Sequence, residues 1–333
     1  MKKKIRIITF LIVISFCLIV ANVITEAFSH KPAIKENTVT VEKSELLFSN
    51  TLSDYGIKPE WIEKKKLKNA VDSVNYYFSV KIPGELPTAP ILSDFNSALF
   101  PYKTDLMSSE RKIGGITDIS ILNDGMLKLK AELVPGKDLD RERNSVALIV
   151  EYSDELTEEN LLKVLKSSVS CTIVVPVDEN NLTSLNTITG FSKRYAVLIN
   201  DEIEGDNFRL ENDFSKKRLK ETVRTIISTY SNASLFFVDE QSDFFNSGIY
   251  NFISGEFLKR KISLHKFGNL VNLTGKDEKD IISLFDFYCN NEEYKKGFPV
   301  LISYSDLIKL MPSIIKYKKK GNAFVFASDI IGK

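Results

Sequence analysis

Apolar and polar positions alternate in different ways along the chain, and near residue 144 the pattern becomes a regular succession of strands and helices. Residues 146–150 form a continuous apolar run, which is typical of a parallel strand buried on both faces. Thr157 then begins an amphipathic helix as its N-cap. Further strands are predicted at 171–176, 195–199, 234–238, 271–273, 299–302 and 323–326, and further helices at 214–229, 249–258, 277–288 and 307–317. This order predicts an α/β unit over residues 144–331, built on a parallel sheet or a distorted parallel (β/α) barrel.

Residues 56–137 show mixed patterns and predict a small α+β domain before this unit. Its predicted elements are a solvated helix face at 61–67, a strand at 76–82, a helix at 88–99 and two strands at 116–122 and 126–133. The last two strands are joined across Asp124 and Gly125, a dipeptide that favours a tight hairpin. No motif in this domain indicates a function.

The N-terminus combines basic residues with a long apolar run. Three lysines follow Met1, and residues 7–24 are apolar except at three positions. A helix of this length spans about 27 Å, close to a bilayer core of about 30 Å. We therefore expect residues 1–24 to form an uncleaved inner-membrane anchor that contacts the membrane through residues 5–24. A cleaved signal peptide is the alternative.

The position of the basic residues predicts the compartment of the rest of the chain. Positively charged flanks stay in the cytoplasm, so the chain after about residue 25 is expected to be exported, to the periplasm or the cell exterior. Residues 25–55 are polar without a sustained period and predict a linker. The protein is thus expected in the cell envelope.

Charge and composition exclude one class of partner. The chain has 45 Lys and Arg against 44 Asp and Glu, so no net field would draw it to nucleic acid, and we expect no nucleic-acid partner. Its three cysteines lack CxxC spacing; Cys171 and Cys289 are either buried free thiols or a disulfide. The chain has only two histidines, His30 and His265, which leaves few imidazole ligands for a metal.

Polar and acidic residues follow the predicted strands of residues 144–331. Ligands of α/β sheets bind at the carboxyl ends of the strands, so these residues are the candidates for a site. They are residues 151–154, Asp178, 200–202, 239–243 and 303–306. They predict a carboxylate-lined cleft, and the alternative is that they cap helices and face water.

Six strand segments carry a resemblance to a known family. They are residues 147–154, ALIVEYSD; 172–176, TIVVP; 195–201, YAVLIND; 235–239, LFFVD; 300–304, VLISY; and 323–328, AFVFAS. In this order they resemble the strands of the divergent polysaccharide deacetylase family, a group of envelope proteins with a distorted α/β barrel. The resemblance covers about residues 146–331. It implies a role in carbohydrate metabolism, with N-acetylated envelope glycan as the substrate.

The resemblance also implies a divalent metal. Active members of the wider group hold the metal with an aspartate and histidines, and it polarises an acetamide and activates water. In this chain Glu151 and Tyr152 stand at the aspartate pair, Asn200 at one histidine position and Ser303 at another. The family's metal-ligand histidines are therefore missing.

The remaining candidates are acidic. Those for catalysis are Glu151, Asp154 and Asp239, and the further cleft candidates are Asp201, Glu202 and Asp243. The family's asparagine-asparagine-histidine segment is either missing between residues 231 and 234 or has become residues 238–243. We expect no cofactor; the alternative is Ca²⁺ or Mg²⁺ bound through the oxygens of Glu151, Asp154, Asp201 and Asp239. His265 is expected to pack in a short strand or on the surface.

The sequence therefore predicts a deacetylase-like envelope protein that has lost its catalytic metal site. Its expected partners are an envelope glycan and other envelope proteins. Two alternatives stay open: altered deacetylase chemistry carried by the acidic residues, and a non-catalytic module that binds glycan or scaffolds proteins at the membrane.

Overall fold

The computed structural model describes residues 38–72, 74–141, 144–153, 156–201, 203 and 207–331. Its contacts divide the chain into two units, and each is described by itself. The first unit takes in residues up to Ser53 and 57–139, and the second takes in 54–56 and the chain from Asp140 onward. The predicted membrane segment, residues 1–24, lies outside the described residues. Within the described ranges, no helix is both long enough and apolar enough to cross a membrane.

The first unit, as far as it is described, combines one five-stranded sheet with two helices. Its elements are α1 (Val41–Asp54), β1 (Ile62–Val71), β2 (Val74–Pro83), α2 (Thr88–Leu99), β3 (Thr104–Glu110), β4 (Thr117–Asn123) and β5 (Met126–Gly136). The strand order is β1-β2-β5-β4-β3, in which β2 and β5 run parallel and the other neighbours antiparallel. The helices bury Phe48 and Phe95, whose ring centroids lie 5.1 Å apart. The α+β arrangement predicted for this segment is present.

The predicted hairpin joins β4 to β5. Asp124 and Gly125 have φ values of 51° and 76°, the left-handed values that a two-residue type I′ turn needs. Asn123 pairs with Met126 across the turn, and its side-chain amide donates to the carbonyl of Lys103 at 2.6 Å. The Asp-Gly step was therefore a sufficient signal for this turn.

The solvated helix predicted over residues 61–67 is wrong, because this segment belongs to strand β1. Lys64 lies opposite Phe78 of β2, and its Nζ is 5.2 Å from the centre of that ring. The aliphatic stem of the lysine covers aromatic surface while the ammonium group stays in water. A run of lysines can therefore occupy a strand whose partner supplies the rings.

The sequence predicts a linker over residues 25–55, but Val41–Asp54 within this range forms helix α1. Phe48 and Leu52 repeat at a spacing of four residues and are both buried. Lys64 of β1 also reaches this helix, with its Nζ 2.8 Å from Glu45. The helix is thus part of the first unit.

The second unit alternates strands and helices. Its strands are β6 (Ser145–Glu151), β7 (Thr172–Pro176), β8 (Arg194–Ile199), β9 (Phe236–Val238), β10 (Leu264–Lys266), β11 (Val271–Asn272), β12 (Phe298–Ile302) and β13 (Ala323–Val325). Its helices are α3 (Glu158–Lys166), α4 (Leu182–Gly190), α5 (Lys216–Thr229), α6 (Tyr250–Leu258), α7 (Glu278–Asn290), α8 (Tyr304–Lys320) and α9 (Ser328–Ile331). The sequence pattern missed α4, which buries only Leu185 and Ile188.

Within the described ranges, all neighbouring strands in the sheet of the second unit are parallel, and their order is β10-β9-β8-β7-β6-β12-β11. Strands β6 to β10 are successive neighbours, and β11 and β12 return on the other side of β6. This is the cyclic order of a barrel opened between β10 and β11, which do not pair within the described ranges. Since β12 takes one edge of β6, β7 and β13 share the other edge. The predicted α/β class with a parallel sheet is confirmed.

The side chains of this sheet form two cores. Helices α3 to α8 all contribute to the core that contains Leu148 and Val197, which we call the helix face. The residues that alternate with these along each strand, such as Ala147, Ala196 and Phe237, belong to a smaller core, which we call the inner face. Placing these helices on one face is the arrangement of a barrel wound in a single direction.

Candidate functional site

The candidate residues at the strand ends fall on two levels of the sheet. Glu151 of β6 pairs with Val174, which lies four residues before Asp178. By the registers of the neighbouring strands, Asp178, Asn200 and Asp239 share one level. At about 3.3 Å per residue, Glu151 lies about 13 Å lower along the strands than these three residues.

The alternation of side chains separates the candidates by face. Glu151 and Asn200 follow the parity of the inner face, whereas Tyr152 and Asp201 follow that of the helix face. Tyr152 packs against the helix-face core, and its hydroxyl lies 3.0 Å from the Oγ of Ser184 in α4. Tyr152 is therefore directed away from the inner face.

The residues predicted for catalysis do not meet. Glu151 and Asp239 are three strands apart, or about 14 Å measured along the sheet at about 4.8 Å per strand, in addition to their difference in level. Oδ1 of Asp239 accepts a hydrogen bond from the amide of Gln241 at 2.9 Å, so part of this carboxylate fixes its own turn. Asp154 and Glu202 lie outside the described residues.

Ser303 serves as the N-cap of α8. Its Oγ accepts from the amide of Asp306 at 3.1 Å and donates to Oδ2 of Asp306 at 2.9 Å. This carboxylate also accepts from Nζ of Lys309 at 2.8 Å and from the amide of Gly275 at 3.1 Å. Burial raises the pKa of Asp306, but the hydrogen bonds from Lys309, Ser303 and Gly275 outweigh burial and hold that pKa below its ordinary value. Ser303 is thus used in capping a helix.

The predicted oxygen-only cation site, Glu151, Asp154, Asp201 and Asp239, stays a prediction, since Asp154 lies outside the described residues. Both carboxylate oxygens of Asp201 already accept hydrogen bonds, Oδ2 from the amide of Asp243 at 2.6 Å and Oδ1 from that of Phe244 at 2.8 Å. Glu151 stands on a different level from Asp239. Across the described ranges, no group of three or more His, Cys, Asp or Glu residues could hold a metal ion.

A cavity of about 450 Å³ lies beyond the ends of β8 and β9 and brings several candidates together. Asn200 and Asp201 line it after β8, and Asp243 lines it from the loop after β9. Arg209 and Glu211 line it from the segment before α5. We call it the β8–β9 cavity. It joins three of the predicted candidates in one polar, solvent-accessible pocket.

Sequence reasoning missed Arg209 and Glu211. Their segment has no apolar period, so no pattern marked it as part of a site. The available signal was its place in the chain, directly after the polar end of β8. The Nη1 of Arg209 lies 3.6 Å from Oε1 of Glu211, which gives the cavity a cation beside its carboxylates.

The loop that carries Asp243 is fixed by its own hydrogen bonds. Ser242 is buried; its Oγ donates to the carbonyl of Asp239 at 2.6 Å and accepts from the amide of Phe245 at 3.1 Å. The Oγ of Ser247 donates to the carbonyl three residues earlier at 2.6 Å. A loop bonded in this way presents Asp243 in a defined position, which lowers the entropy lost when a ligand binds.

The histidine and the cysteines of the second unit are not among the described residues that line the β8–β9 cavity. His265 lies half-buried in β10, the predicted short strand, with its ring centroid 6.3 Å from that of Phe237. Cys171 and Cys289 are buried free thiols rather than a disulfide. Burial raises the pKa of Cys171 to about 11 and that of Cys289 to about 12, so neither is a reactive thiolate.

Comparison with known proteins gives likenesses of structure. No family model and no curated protein matches the sequence. The chain is similar to PdaA of Bacillus subtilis, a family 4 carbohydrate esterase, with a TM-score of 0.37 and 11% identity over 58% of this chain and 82% of that one. It is similar to a peptidoglycan deacetylase of Bdellovibrio bacteriovorus, with a TM-score of 0.35 and 14% identity over 57% of this chain.

The chain spans about half, 53%, of the Bdellovibrio protein. A third similar structure is an uncharacterized protein of Agrobacterium tumefaciens, with a TM-score of 0.32 and 11% identity over 59% of this chain and 91% of that one.

Proposed function

We propose that the protein is an envelope protein whose second unit binds glycan at the β8–β9 cavity and does not hydrolyse it. A membrane anchor in residues 1–24 would hold this unit next to the envelope glycan. The alternative from the sequence, altered deacetylase chemistry by the acidic residues, needs side chains that converge on one reacting group.

The observation that carries the proposal is the chemistry of the cavity lining. Asn200 brings an amide group to the lining, Asp243 a carboxylate and Arg209 a guanidinium group, so the lining contains both donors and acceptors. Sugar hydroxyls donate and accept at once, so a mixed lining of this kind matches them. The volume of about 450 Å³ also lies within the usual range for small-molecule sites.

The positions of the family's metal ligands support the non-catalytic part of the proposal. Tyr152 bonds with Ser184 on the helix face, and Ser303 caps α8 through Asp306. Glu151 faces the inner side about 13 Å below the level of Asn200. These side chains do not form the compact donor set that a hydrolytic metal needs.

Titration of an acetylated chitooligosaccharide into the full-length protein tests the proposal. Calorimetry should detect binding, and Asp243→Ala should weaken it about tenfold, the effect of losing one hydrogen bond to a charged group. Asp213→Ala is the matched control, because Asp213 is exposed, follows the lining residues Arg209 and Glu211 in the chain and does not itself line the cavity. Equal binding by the two variants, or no binding by the wild type, would remove the site.

Release of acetate from the same oligosaccharide tests the non-catalytic part. We expect none above the rate without protein, with or without added zinc, cobalt or manganese. Metal-dependent release that disappears in Glu151→Ala would restore the enzyme interpretation. The calorimetric result on glycan binding does not depend on this outcome.

A further inference from the structure

A second cavity, of about 630 Å³, lies at the opposite end of β9. Residues that precede β9 and β10 line it, among them Ser231, Leu235 and Ser263, together with Ile331 of α9. The β8–β9 cavity follows the carboxyl end of β9, whereas this one begins before its first residue. We call it the basal cavity.

Four of the polar side chains around the basal cavity have no hydrogen-bond or ion-pair partner among the described residues. Lys261, Ser231, Ser263 and His265 all line it, and none of these side chains has a hydrogen bond or ion pair with another described residue. By contrast, Ser234, which also lines the cavity, donates from its Oγ to the carbonyl of Tyr195 at 2.8 Å. Four side chains that could hydrogen-bond a ligand therefore surround one space.

The charge of the lining has one sign. Lys261 is its cationic group, and no Asp or Glu is among the described residues that line it. Burial lowers the pKa of His265, which favours the neutral imidazole, and that form still has one N–H donor. Such a lining repels cations and attracts an anion, and the attraction strengthens where apolar walls exclude water. The charge thus selects the head group of a ligand.

A turn after α6 fixes the backbone of Lys261. Its φ is 62°, a left-handed value that glycine and asparagine adopt readily and lysine rarely does. The amide of Lys261 bonds to the carbonyl of Leu258 at 2.8 Å.

The rest of the lining is apolar. Ile227, Leu235, Ile262 and Ile331 contribute to it from four separate segments of the second unit. We infer that the basal cavity binds a small amphipathic carboxylate, whose anionic head pairs with Lys261 and accepts a hydrogen bond from His265 while its aliphatic or aromatic body lies against Leu235 and Ile262. This site is separate from the proposed glycan site, so either can fail alone.

Three probes that share an aryl-alkyl chain and differ in their polar head group test this inference on the full-length protein. They are 4-phenylbutyrate, 4-phenylbutanol and 4-phenylbutylamine. Calorimetry should show that the carboxylate binds about tenfold more tightly than the alcohol, the effect of one charge-assisted contact, and that the amine does not bind. Binding of the amine as tightly as the carboxylate would overturn the inference.

Proton NMR locates the site, because the chain has only two histidines. The ring signal that disappears in His265→Gln identifies His265, and 4-phenylbutyrate should shift this signal and leave that of His30 in place. A carboxylate that binds without moving the His265 signal would place the site elsewhere and contradict the inference.

Variants at Lys261 test the charge. Lys261→Asn removes the ammonium group and keeps a residue that tolerates positive φ, so the fold should be preserved and affinity for 4-phenylbutyrate should fall about tenfold. Lys276→Asn, an exposed lysine that does not line the cavity, is the matched control and should bind like the wild type. If Lys261→Asn folds poorly, Lys261→Gly replaces it, and unchanged affinity in the folded variant refutes the inference.

Discussion

Tyr230 holds the backbone that follows β7 through one oxygen atom, and replacing it by Phe is a sharp test of this structure. The residue is fully buried at the end of α5. Its hydroxyl accepts from the amide of Asp178 at 3.0 Å and donates to the carbonyl of the same residue at 3.1 Å. Tyr230→Phe keeps the ring and removes both bonds.

The expected loss follows from these two bonds. A hydrogen bond contributes a net of about 0.5–1.5 kcal/mol, and more is lost when a partner stays buried without a bond. We therefore expect the free energy of unfolding to fall by about 2 kcal/mol. For a unit of this size, each kcal/mol lowers the Tm by about 2–4 °C, so the Tm should fall by about 4–8 °C.

Urea unfolding of the full-length protein, followed by circular dichroism, measures this loss. Tyr294→Phe is the control, because the hydroxyl of Tyr294 has no hydrogen-bond partner among the described residues, although its ring packs against Tyr288 and Phe298. Hydrogen exchange at the amide of Asp178 should also accelerate in Tyr230→Phe alone. A loss below about 0.5 kcal/mol, or one equal to that of the control, would refute the reasoning.

Two further predictions concern buried titratable groups. Asp306→Ala should lower the free energy of unfolding by about 3 kcal/mol at about pH 7, since it removes a buried acceptor of three hydrogen bonds. The folded pKa of Asp306 lies below the ordinary 3.8, so its stabilisation is complete above that value and is lost as the pH falls through the folded pKa. Urea midpoints at several pH values check this, and a difference that does not change with pH contradicts it. Cys171 and Cys289 should resist a thiol reagent at about pH 8 in the native protein and react in urea, because burial raises both pKa values, to about 11 and about 12; equal reaction in both states would contradict this.

The sequence predicts much of the second unit because its strands are buried on both faces. Residues 146–150 are all apolar, and the structure places them alternately in the helix-face core and the inner-face core. Thr157 caps α3 as predicted, with its Oγ1 accepting from the amide of Asn160. Local composition was sufficient at these positions because burial and capping act within one element.

The candidate site was less predictable because it depends on register and on parity. Glu151 and Tyr152 are neighbours in sequence, yet they point to opposite faces of the sheet. Ser303 looked like a substituted metal ligand, but its Oγ caps α8 by accepting from the amide of Asp306 and also donates to the carboxylate of that residue. The sequence states which residues follow each strand, but only the pairing of strands determines which of them meet.

The central place of β6 governs when the second unit can fold. This strand is the first of its sheet to be synthesised, and its partners β12 and β13 are the last, with Ser145 paired to Ala323. One edge of β6 therefore stays unpaired during most of the synthesis of this unit. Such long-range pairing slows folding and exposes an edge to wrong partners in the meantime. The second unit can therefore complete its fold only once β12 and β13 have been synthesised, and a chaperone that covers the edge of β6 would raise its yield.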